Sequence, residues 1–451
     1  MEKIFLINPP GDVIRTGRWV RKTRARQNWF PIFLGYATGT LEKSGYECKL
    51  VDASASQMSF EDTDKLIESY KPHDIVYYWA YDTATDDLVY AEKLGQKYNV
   101  ILVGPWSATM PNALDNYPHI DAMTFGAFEF NLLDYIQGKD KSLIPGLKYR
   151  DGNEILYNPQ GEPFGRDKLD WMPFVTDVYK RHLNLRNYHQ TSFKFPFVDL
   201  FTARSCPYRC KYCQWIWGMD QLHPHRYQQR SLKNVMDELW YIHNEIPEVK
   251  QIFFQDSTLI KPRAVEISHA ILDQGLKITW GCYSRADRNY DDLKLMKDAG
   301  LRTLHVGYEV PVQSVLDEIG KDITVEQMTI FAKAVKDLDL WTSSAFMIFP
   351  WETKEQVEFT VNWIKKSGAK RINLVQLQPY PNTPIIDMIN AYKDLPNKHV
   401  MNQAEMKCYE QWGLKEFHLK NPTFWWEVIK HPSEWRNVIH DGIGLLKFLG
   451  D

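Results

Sequence analysis

Long apolar runs, a strong charge bias and abundant cysteine are all missing from this chain, and each absence excludes a class of protein. No apolar stretch approaches the roughly 20 residues of a membrane-spanning helix, and the one at the N-terminus is too short for a signal peptide. The formal net charge of −3 provides no basic bias for phosphate contacts. Six cysteines in 451 residues are too few for a disulfide framework. We therefore expect a cytoplasmic protein with no transmembrane segment and no nucleic-acid partner.

The rest of the composition is that of an ordinary globular protein with room for two or three domains. Apolar residues make up 44% of the chain and charged residues 25%. The 16 tryptophans are unusual in number. Most are expected in the core, and some can line a cavity for a flat cofactor or an apolar substrate.

Three of the six cysteines lie within one segment of eight residues. Cys206, Cys210 and Cys213 have the spacing C-x3-C-x2-C, and soft ligands this close together indicate a metal. A structural zinc needs a fourth ligand, for which His223 and His225 are the nearest histidines. A redox pair of Cys210 and Cys213 would leave Cys206 without a role. The pattern favours a four-iron cluster in which one iron stays open to a reactive ligand, with zinc and a redox pair as alternatives.

The first 140 residues alternate short apolar runs with helix-like stretches. Five such units predict a doubly wound, Rossmann-like parallel sheet. Ligands of these sheets lie beyond the carboxyl ends of the strands. The predicted strands are 3–8, 48–52, 74–79, 100–104 and 122–125.

Two polar segments are candidate contacts for an anion or a substrate. The stretch 12–30 contains six Lys and Arg residues, among them Arg21, Arg24 and Arg26, and is either an anion site or a solvated loop. His223 and His225 follow the cysteine segment and either act on substrate protons or belong to an ordinary loop.

The later part of the chain divides into three segments. Residues 141–190 are polar and rich in proline, which predicts a linker. Residues 191–390 contain six further strand–helix units, too few for an eightfold barrel. The tail, 391–451, alternates aromatic and charged residues and is expected to form a small, mainly helical extension.

The cysteine segment, with Tyr212 before its last cysteine, resembles that of the radical S-adenosylmethionine (SAM) enzymes. Further matches follow in order between residues 198 and 384: Gly307-Tyr308-Glu309 for Gly-x-Glu, 349–353 for Leu-Pro-Gly-Glu-Thr and 379–384 for Pro-Tyr-Pro-Gly-Thr-Pro. Trp351 and Asn382 replace glycines of these patterns. The resemblance implies a partial (β/α)6 barrel whose three cysteines hold a [4Fe-4S] cluster. It also implies SAM contacts from Tyr212, Gln255, Asp256, Ser284, Arg285 and Glu309.

The N-terminal half resembles the cobalamin-binding domain that precedes many radical SAM domains. The likeness lies in Asn8-Pro9-Pro10, in 51–54 at the end of the second strand and in Gly126-x-x-Glu129 after the fifth. Ala127 replaces an acid of the family pattern, Gly104-Pro105 replaces a pair of glycines, and no Asp-x-His-x-x-Gly supplies a histidine for cobalt. A Rossmann-like domain that binds nothing is the alternative. The resemblance implies cobalamin contacts from Pro10, Asp52, Ser54, Tyr81, Thr83, Gly104, Pro105, Trp106, Ser107, Gly126, Phe128 and Glu129.

Together the two resemblances imply a cobalamin-dependent radical SAM enzyme similar to the class B methyltransferases. Such an enzyme methylates an unactivated carbon or phosphorus centre through a 5′-deoxyadenosyl radical and methylcobalamin. The alternatives are a cobalamin-dependent radical SAM enzyme that rearranges or cyclises its substrate, and a zinc-stabilised, non-catalytic binding protein. A methylthiotransferase is not favoured, because the N-terminal half has no second set of three cysteines. We expect a small-molecule or lipid-like substrate and a reductant such as flavodoxin or ferredoxin.

Overall fold

The structure is a computed structural model, and the chain divides into two compact units. The described residues are 2–11, 28–79, 84–104, 113–124, 126–162, 164–219, 227–396 and 398–430, with the backbone of 14–15 and 20–21. The first unit comprises 1–190, 195–200 and 218–249, and the second comprises 191–194, 201–217 and 250–451. No helix in these described ranges is long and apolar enough to cross a bilayer.

The described strands and helices alternate along most of the chain. The strands are β1 (Lys3–Asn8), β2 (Ile14–Arg15), β3 (Val20–Arg21), β4 (Glu47–Asp52), β5 (Asp74–Tyr78), β6 (Asn99–Val103), β7 (Ala122–Thr124), β8 (Leu147–Asp151), β9 (Glu154–Tyr157), β10 (Phe197–Leu200), β11 (Ala203–Arg204), β12 (Gln228–Gln229), β13 (Gln251–Phe254), β14 (Trp280–Arg285), β15 (Leu301–Glu309), β16 (Trp341–Ile348) and β17 (Arg371–Gln376). The helices are α1 (Ile32–Lys43), α2 (Phe60–Tyr70), α3 (Ala84–Gly95), α4 (Ala113–Asn116), α5 (Glu129–Ile136), α6 (Arg166–Trp171), α7 (Val175–His182), α8 (Leu232–Glu245), α9 (Lys261–Asp273), α10 (Tyr290–Asp298), α11 (Gln313–Glu318), α12 (Val325–Asp337), α13 (Lys354–Lys366), α14 (Ile385–Lys393), α15 (Gln403–Lys420) and α16 (Pro422–Lys430).

The first unit is built on a seven-stranded sheet in the order β4-β1-β5-β6-β7-β8-β9. Its first five strands are parallel. β5 is buried at every position, which is the reason that its sequence is a continuous apolar run rather than an alternating one. The order reverses at β1 and β5, and in open parallel sheets ligands bind beyond the carboxyl ends of strands at such a reversal.

The segment 141–190, which its sequence predicts to be a linker, supplies ordered elements to the first unit. β8 and β9 form a hairpin that extends the sheet antiparallel to β7. α6 and α7 follow, and α7 packs closely on α1: a Cβ added at Gly35 would lie 2.7 Å from Val175 Cγ2. The proline and turn residues of this segment therefore connect short elements that pack on the first unit.

The second sheet has six strands in chain order, β10-β13-β14-β15-β16-β17. The strands from β13 to β17 are parallel to one another, as the alternating pattern predicts. The short segment 191–194 packs against this sheet: Phe193 stacks on Phe253 at 4.7 Å, and Ser192 Oγ lies 3.0 Å from His305 Nε2. Burial lowers the pKa of His305 to about 3, so this imidazole is neutral.

Candidate functional site

The three cysteines of the C-x3-C-x2-C segment lie on one loop, which follows β11 and is here called the cluster loop (Cys206–Cys213). Cys210 is buried, while Cys206 and Cys213 are half-buried. The Cys213 N–H donates to the Cys210 carbonyl at 3.0 Å, and the N–H groups of Ile216 and Trp217 donate to the Cys213 carbonyl at 3.2 Å. The second half of the cluster loop is therefore held in a hydrogen-bonded turn.

The thiols are close enough to oppose one another's ionisation. The pKa of Cys213 is raised to about 12, first by burial and then by the negative charges of Cys210 and Cys206. Backbone N–H groups of Trp215 and Ile216 act in the opposite direction. A cationic centre bound at this position would favour the thiolate form of its cysteine ligands.

Three cysteine thiolates are a donor set that an iron–sulfur cluster takes. Among the residues that the structure describes, no three His, Cys, Asp or Glu side chains are grouped closely enough to share one metal ion. A four-iron cluster binds each thiolate through a different iron, so its thiolates need not converge on one ion. The donor set of the cluster loop therefore fits a [4Fe-4S] cluster.

A turn after α11, Glu318–Asp322, packs against the cluster loop. The Ile319 carbonyl accepts a hydrogen bond from the Lys211 N–H at 2.9 Å. Glu318 anchors the turn, because its carboxylate accepts from Trp351 Nε1 at 2.7 Å and from the Tyr392 hydroxyl at 2.6 Å. The Trp351 and Tyr392 rings are stacked, with centroids 5.1 Å apart. The indole that replaces a glycine of the family pattern thus contributes to the support of the cluster loop.

A buried ion pair lies beside Tyr212. Lys321 Nζ lies 2.8 Å from Glu309 Oε1 and 3.4 Å from the Tyr212 hydroxyl. Burial lowers the pKa of Lys321, but the negative charges of Glu309 and Cys210 outweigh it and the net change is upward, so the ammonium stays charged. Gly307 makes room for the pair, because a Cβ there would lie 2.5 Å from Glu309 Oε1. Glu309 itself has φ +64°, a conformation uncommon for a residue other than glycine.

Two predicted SAM contacts are engaged in hydrogen bonds within the second unit. Asp256 accepts from the Thr202 N–H at 2.6 Å and from the Ala203 N–H at 3.1 Å, which fixes the backbone that leads into the cluster loop. Ser284 Oγ donates to the Arg285 carbonyl at 2.7 Å and accepts from Arg288. Gln255, which precedes Asp256 in the sequence, is also buried. The contacts of these three side chains with SAM stay predictions.

Arg285 is also engaged. Its Nε donates to Asp287 at 2.8 Å, and its Nη2 donates to the carbonyl oxygens of Lys321 and, at 2.9 Å, Asp322. Its guanidinium carbon lies 3.8 Å from the centroid of the Tyr208 ring, within the cluster loop. The carboxylate of SAM would have to compete with these hydrogen bonds for the donors of Arg285.

A buried carboxyl group lies in the segment that matches Leu-Pro-Gly-Glu-Thr. Glu352 is 4% exposed and accepts from the Phe349 N–H at 2.7 Å. Burial raises the pKa of Glu352 to about 8, so this group carries a proton at neutral pH.

In the first unit, predicted cobalamin contacts lie at the carboxyl ends of parallel strands. The Asp52 carboxylate accepts from Asn8 Nδ2 at 2.8 Å, from the Ala55 N–H at 3.0 Å and from the Tyr188 hydroxyl at 3.0 Å. Ser54 Oγ donates to the Gly11 carbonyl at 3.0 Å. These contacts order the strand ends, and contact of Asp52 and Ser54 with a corrinoid stays a prediction.

The same edge of the sheet has features that suit a ligand. Gly104 has φ +145°, and a Cβ there would lie 2.7 Å from the Trp79 carbonyl oxygen. Asn8 Oδ1 and Thr124 Oγ1, at the ends of β1 and β7, are buried with no hydrogen-bond partner among the described residues. Buried polar atoms of this kind call for a partner. Of the other predicted contacts, Pro10, Phe128 and Glu129 are buried and Gly126 has φ +68°.

Several predicted site residues lie outside the described residues or are described only as backbone. Arg21 belongs to β3, of which the backbone alone is described. The residues outside the described ranges are Tyr81, Thr83, Pro105, Trp106, Ser107, Arg24, Arg26, His223 and His225.

No sequence motif indicates Lys321, Glu318 or Tyr392. Lys321 is 12 residues from its partner Glu309, and Tyr392 is 74 residues from Glu318. The one signal in the sequence is the replacement of glycine by Trp351, which marks a place where the chain departs from the family pattern.

Comparison with known proteins finds a family match in the middle of the chain. Residues 200–364 match the sequence profile of the Radical SAM superfamily, and this range includes all three cysteines of the cluster loop. The chain contains a radical SAM domain. The cofactors of this superfamily are a [4Fe-4S] cluster and SAM, which agrees with the donor set of the cluster loop.

Relatives extend the likeness of this chain beyond the matched domain. It is 29% identical over 372 residues to an uncharacterized methyltransferase of Pyrococcus horikoshii, covering 78% of this chain and 77% of the relative. It is 26% identical over 386 residues to the anaerobic magnesium-protoporphyrin IX monomethyl ester cyclase of Cereibacter sphaeroides, covering 79% of this chain and 60% of the cyclase. The chain thus spans less than two thirds of the cyclase.

The fold of this chain is similar to that of a solved structure. The cobalamin-dependent S-adenosylmethionine radical enzyme OxsB, with aqua-cobalamin and SAM bound, superposes with a TM-score of 0.69 over 98% of this chain and 72% of OxsB. Sequence identity is 15%. At this identity the similarity is one of fold.

Proposed function

We propose that the protein is a cobalamin-dependent radical SAM methyltransferase that methylates an unactivated carbon or phosphorus centre. The observation that carries the proposal is the set of three cysteine thiols on the cluster loop, inside the matched radical SAM domain. The similarity to a relative named as a methyltransferase and the fold shared with a cobalamin-dependent enzyme support it.

Each bound group has proposed ligands in this chain. Cys206, Cys210 and Cys213 would hold the cluster, with Tyr212 and Glu309 among the SAM contacts. When bound, the cluster supplies the electron that cleaves SAM, and cobalamin supplies a transferable methyl group. The proposed cobalamin contacts are Pro10, Asp52, Ser54, Gly104, Gly126, Phe128 and Glu129.

The chain's own residues supply position and exclusion of water. The Asp256 carboxylate fixes the backbone that enters the cluster loop, and the Glu318–Asp322 turn accepts a hydrogen bond from the loop at Lys211. The Glu309–Lys321 pair is buried, so water does not screen its charges strongly. We assign the cobalamin-binding domain to 1–140 and the partial (β/α)6 barrel to 191–390 on the same resemblance.

Metal analysis tests the proposal most directly. Protein made and reconstituted without oxygen should contain about four irons and four sulfides per chain. Cys206→Ala, Cys210→Ala and Cys213→Ala should each reduce the iron content, whereas Cys408→Ala is the matched control because Cys408 is exposed and lies outside the cluster loop. Zinc without iron would support the non-catalytic binding protein and refute the radical mechanism.

Cobalamin binding needs a separate measurement. Titration with hydroxocobalamin, followed by the corrinoid absorption bands, should saturate at one equivalent per chain under this proposal. A protein that holds the iron cluster but has no affinity for cobalamin would refute the methyl transfer from cobalamin and leave the radical SAM chemistry intact.

A second candidate is a cobalamin-dependent radical SAM enzyme that rearranges or cyclises its substrate, and the similarity to an anaerobic cyclase favours keeping it. The products separate the two. Methylation yields S-adenosylhomocysteine together with 5′-deoxyadenosine and adds the mass of one methyl group to the substrate. Cyclisation yields no S-adenosylhomocysteine. The small-molecule or lipid-like substrate, the flavodoxin or ferredoxin reductant and the cytoplasmic location stay predictions.

A further inference from the structure

Arg285, the last residue of β14, joins the cluster loop to the Glu318–Asp322 turn. Its guanidinium lies 3.8 Å from the centroid of the Tyr208 ring, and Tyr208 is located between Cys206 and Cys210. Its Nη2 donates to the carbonyl oxygens of Lys321 and Asp322. One side chain therefore contacts both segments.

We propose that Arg285 is a positioning residue that fastens the cluster loop to the Glu318–Asp322 turn, and that it does not bind the SAM carboxylate. The inference rests on the proposed function, because it assumes that the cluster loop holds an iron–sulfur cluster. It corrects the assignment implied by family resemblance, in which Arg285 contacts SAM.

The donors of the guanidinium support this assignment. A guanidinium has five N–H donors, and it grips a carboxylate with two of them in parallel. Two pairs of nitrogen atoms can bind a carboxylate in this way, Nη1 with Nη2 and Nε with Nη2. Both pairs include Nη2. In this structure Nη2 donates to two carbonyl oxygens and Nε donates to Asp287 at 2.8 Å. A carboxylate ligand would have to displace these bonds.

Burial makes that displacement costly. The Arg285 side chain is 6% exposed, and the face of its guanidinium is covered by Tyr208. Carbonyl oxygens left without a donor in such a place lose a hydrogen bond that water does not readily replace. The observed bonds are therefore the stable state of this side chain.

The turn to which Arg285 donates hydrogen bonds is also anchored by hydrogen bonds at its other end. Glu318 accepts two hydrogen bonds, from Trp351 and Tyr392. The Ile319 carbonyl binds the Lys211 N–H of the cluster loop at 2.9 Å. Arg285 thus adds a second connection to the first half of the cluster loop, around Tyr208, where the backbone contact at Lys211 does not reach.

The test uses the full-length protein reconstituted with iron and sulfide under anaerobic conditions. Iron release to an excess of a ferrous chelator is followed in the wild type and in Arg285→Lys, Tyr208→Leu and Tyr208→Phe. Arg285→Lys keeps the positive charge but loses the guanidinium donors that bond to the two carbonyl oxygens of the turn. Tyr208→Leu removes the aromatic ring that contacts the guanidinium. Tyr208→Phe is the matched control, because the cation–π contact uses the ring and not the hydroxyl.

We expect Arg285→Lys and Tyr208→Leu to release iron about 2- to 30-fold faster than the wild type, the range that corresponds to a cation–π contact. Tyr208→Phe should release iron at the wild-type rate. The double variant Arg285→Lys/Tyr208→Leu should be no faster than the faster single variant, because the connection from Tyr208 through Arg285 to the turn is lost when either of its two links is broken. The affinity for SAM, measured by equilibrium dialysis per intact cluster, should be unchanged in Arg285→Lys.

Three results would overturn the inference. In the first, the Arg285→Lys variant releases iron at the wild-type rate but binds SAM at least about tenfold more weakly. This result would identify Arg285 as a SAM ligand. Rate increases that multiply in the double variant would show that the two side chains act separately. Tyr208→Phe as fast as Tyr208→Leu would exclude the ring contact.

Failure of the proposed function would look different. In that case the wild type itself would take up no iron, and no variant would need to be compared. If Arg285→Lys does not fold, which circular dichroism would show, the pair Tyr208→Leu and Tyr208→Phe still tests the contact from the more exposed side.

Discussion

Removing one member of the Glu309–Lys321 pair should destabilise the second unit far more than removing both. The two side chains are 10% and 7% exposed, and their charged atoms are 2.8 Å apart. At an effective dielectric constant of about 20, two unit charges at that distance attract by about 6 kcal/mol. Desolvation costs several kcal/mol per ion and offsets most of this attraction. The net contribution of the pair is therefore small, whereas a single unpaired charge in the same place is costly.

The experiment is a double-mutant cycle on the protein without cofactors. Glu309→Gln and Lys321→Met should each lower the free energy of unfolding by about 3–5 kcal/mol, because each leaves one buried charge alone. The double variant should be within about 2 kcal/mol of the wild type. Urea unfolding at neutral pH, followed by tryptophan fluorescence, measures all four proteins.

An exposed ion pair provides the control for this cycle. Lys180 and Glu245 are 3.4 Å apart, and their side chains are 41% and 56% exposed. The coupling energy of such a pair should be below about 1 kcal/mol. Additive effects of Glu309→Gln and Lys321→Met would refute the argument, because they would mean that the two charges do not depend on each other in the folded protein.

Two further variants test the surroundings of this site. Burial raises the pKa of Glu352 to about 8 from an ordinary 4.5, so the unfolded chain loses a proton that the folded protein keeps, and stability falls as pH rises between these values. Glu352→Gln should therefore gain about 3 kcal/mol relative to the wild type between pH 5 and pH 8 in urea unfolding, and a difference that does not change with pH would contradict the burial argument. Gly307→Ala should cost about 1–3 kcal/mol in thermal unfolding because its Cβ would displace the carboxylate of Glu309. Gly165→Ala, whose Cβ meets no atom within 4 Å, is its control, and equal losses in the two variants would show that the contact with Glu309 is not the cause.

The amino-acid sequence by itself determines the donor chemistry of the cluster loop. Three cysteines separated by three and two residues place three soft donors in one short segment, so their donor set does not depend on distant parts of the chain. The strands of both parallel sheets are predictable for a similar reason. Buried strands such as β5 require continuous apolar runs, and these stand out from the amphipathic helices between them. The carboxyl ends of the strands then indicate where ligand contacts should lie.

Contacts between residues far apart in sequence cannot be read in this way. The hairpin β8–β9 has the sequence pattern of a linker, because its strands are short and flanked by prolines. Its pairing with β7 is visible only in the sheet. Lys321 and Tyr392 carry no motif, and the fold alone brings them to Glu309 and Glu318.

Arg285 shows the limit most clearly. Its residue type and its place at a strand end suggest a ligand for a carboxylate, but a side chain can bind only what its neighbours leave available. Its donors bond to Asp287, just after β14, and to the Glu318–Asp322 turn, while its face lies on Tyr208 of the cluster loop, and the packing of these segments determines the distances. Sequence spacing thus identifies which chemical groups are near one another along the chain, whereas the role of each group depends on tertiary contacts that occupy or leave open its hydrogen-bonding capacity.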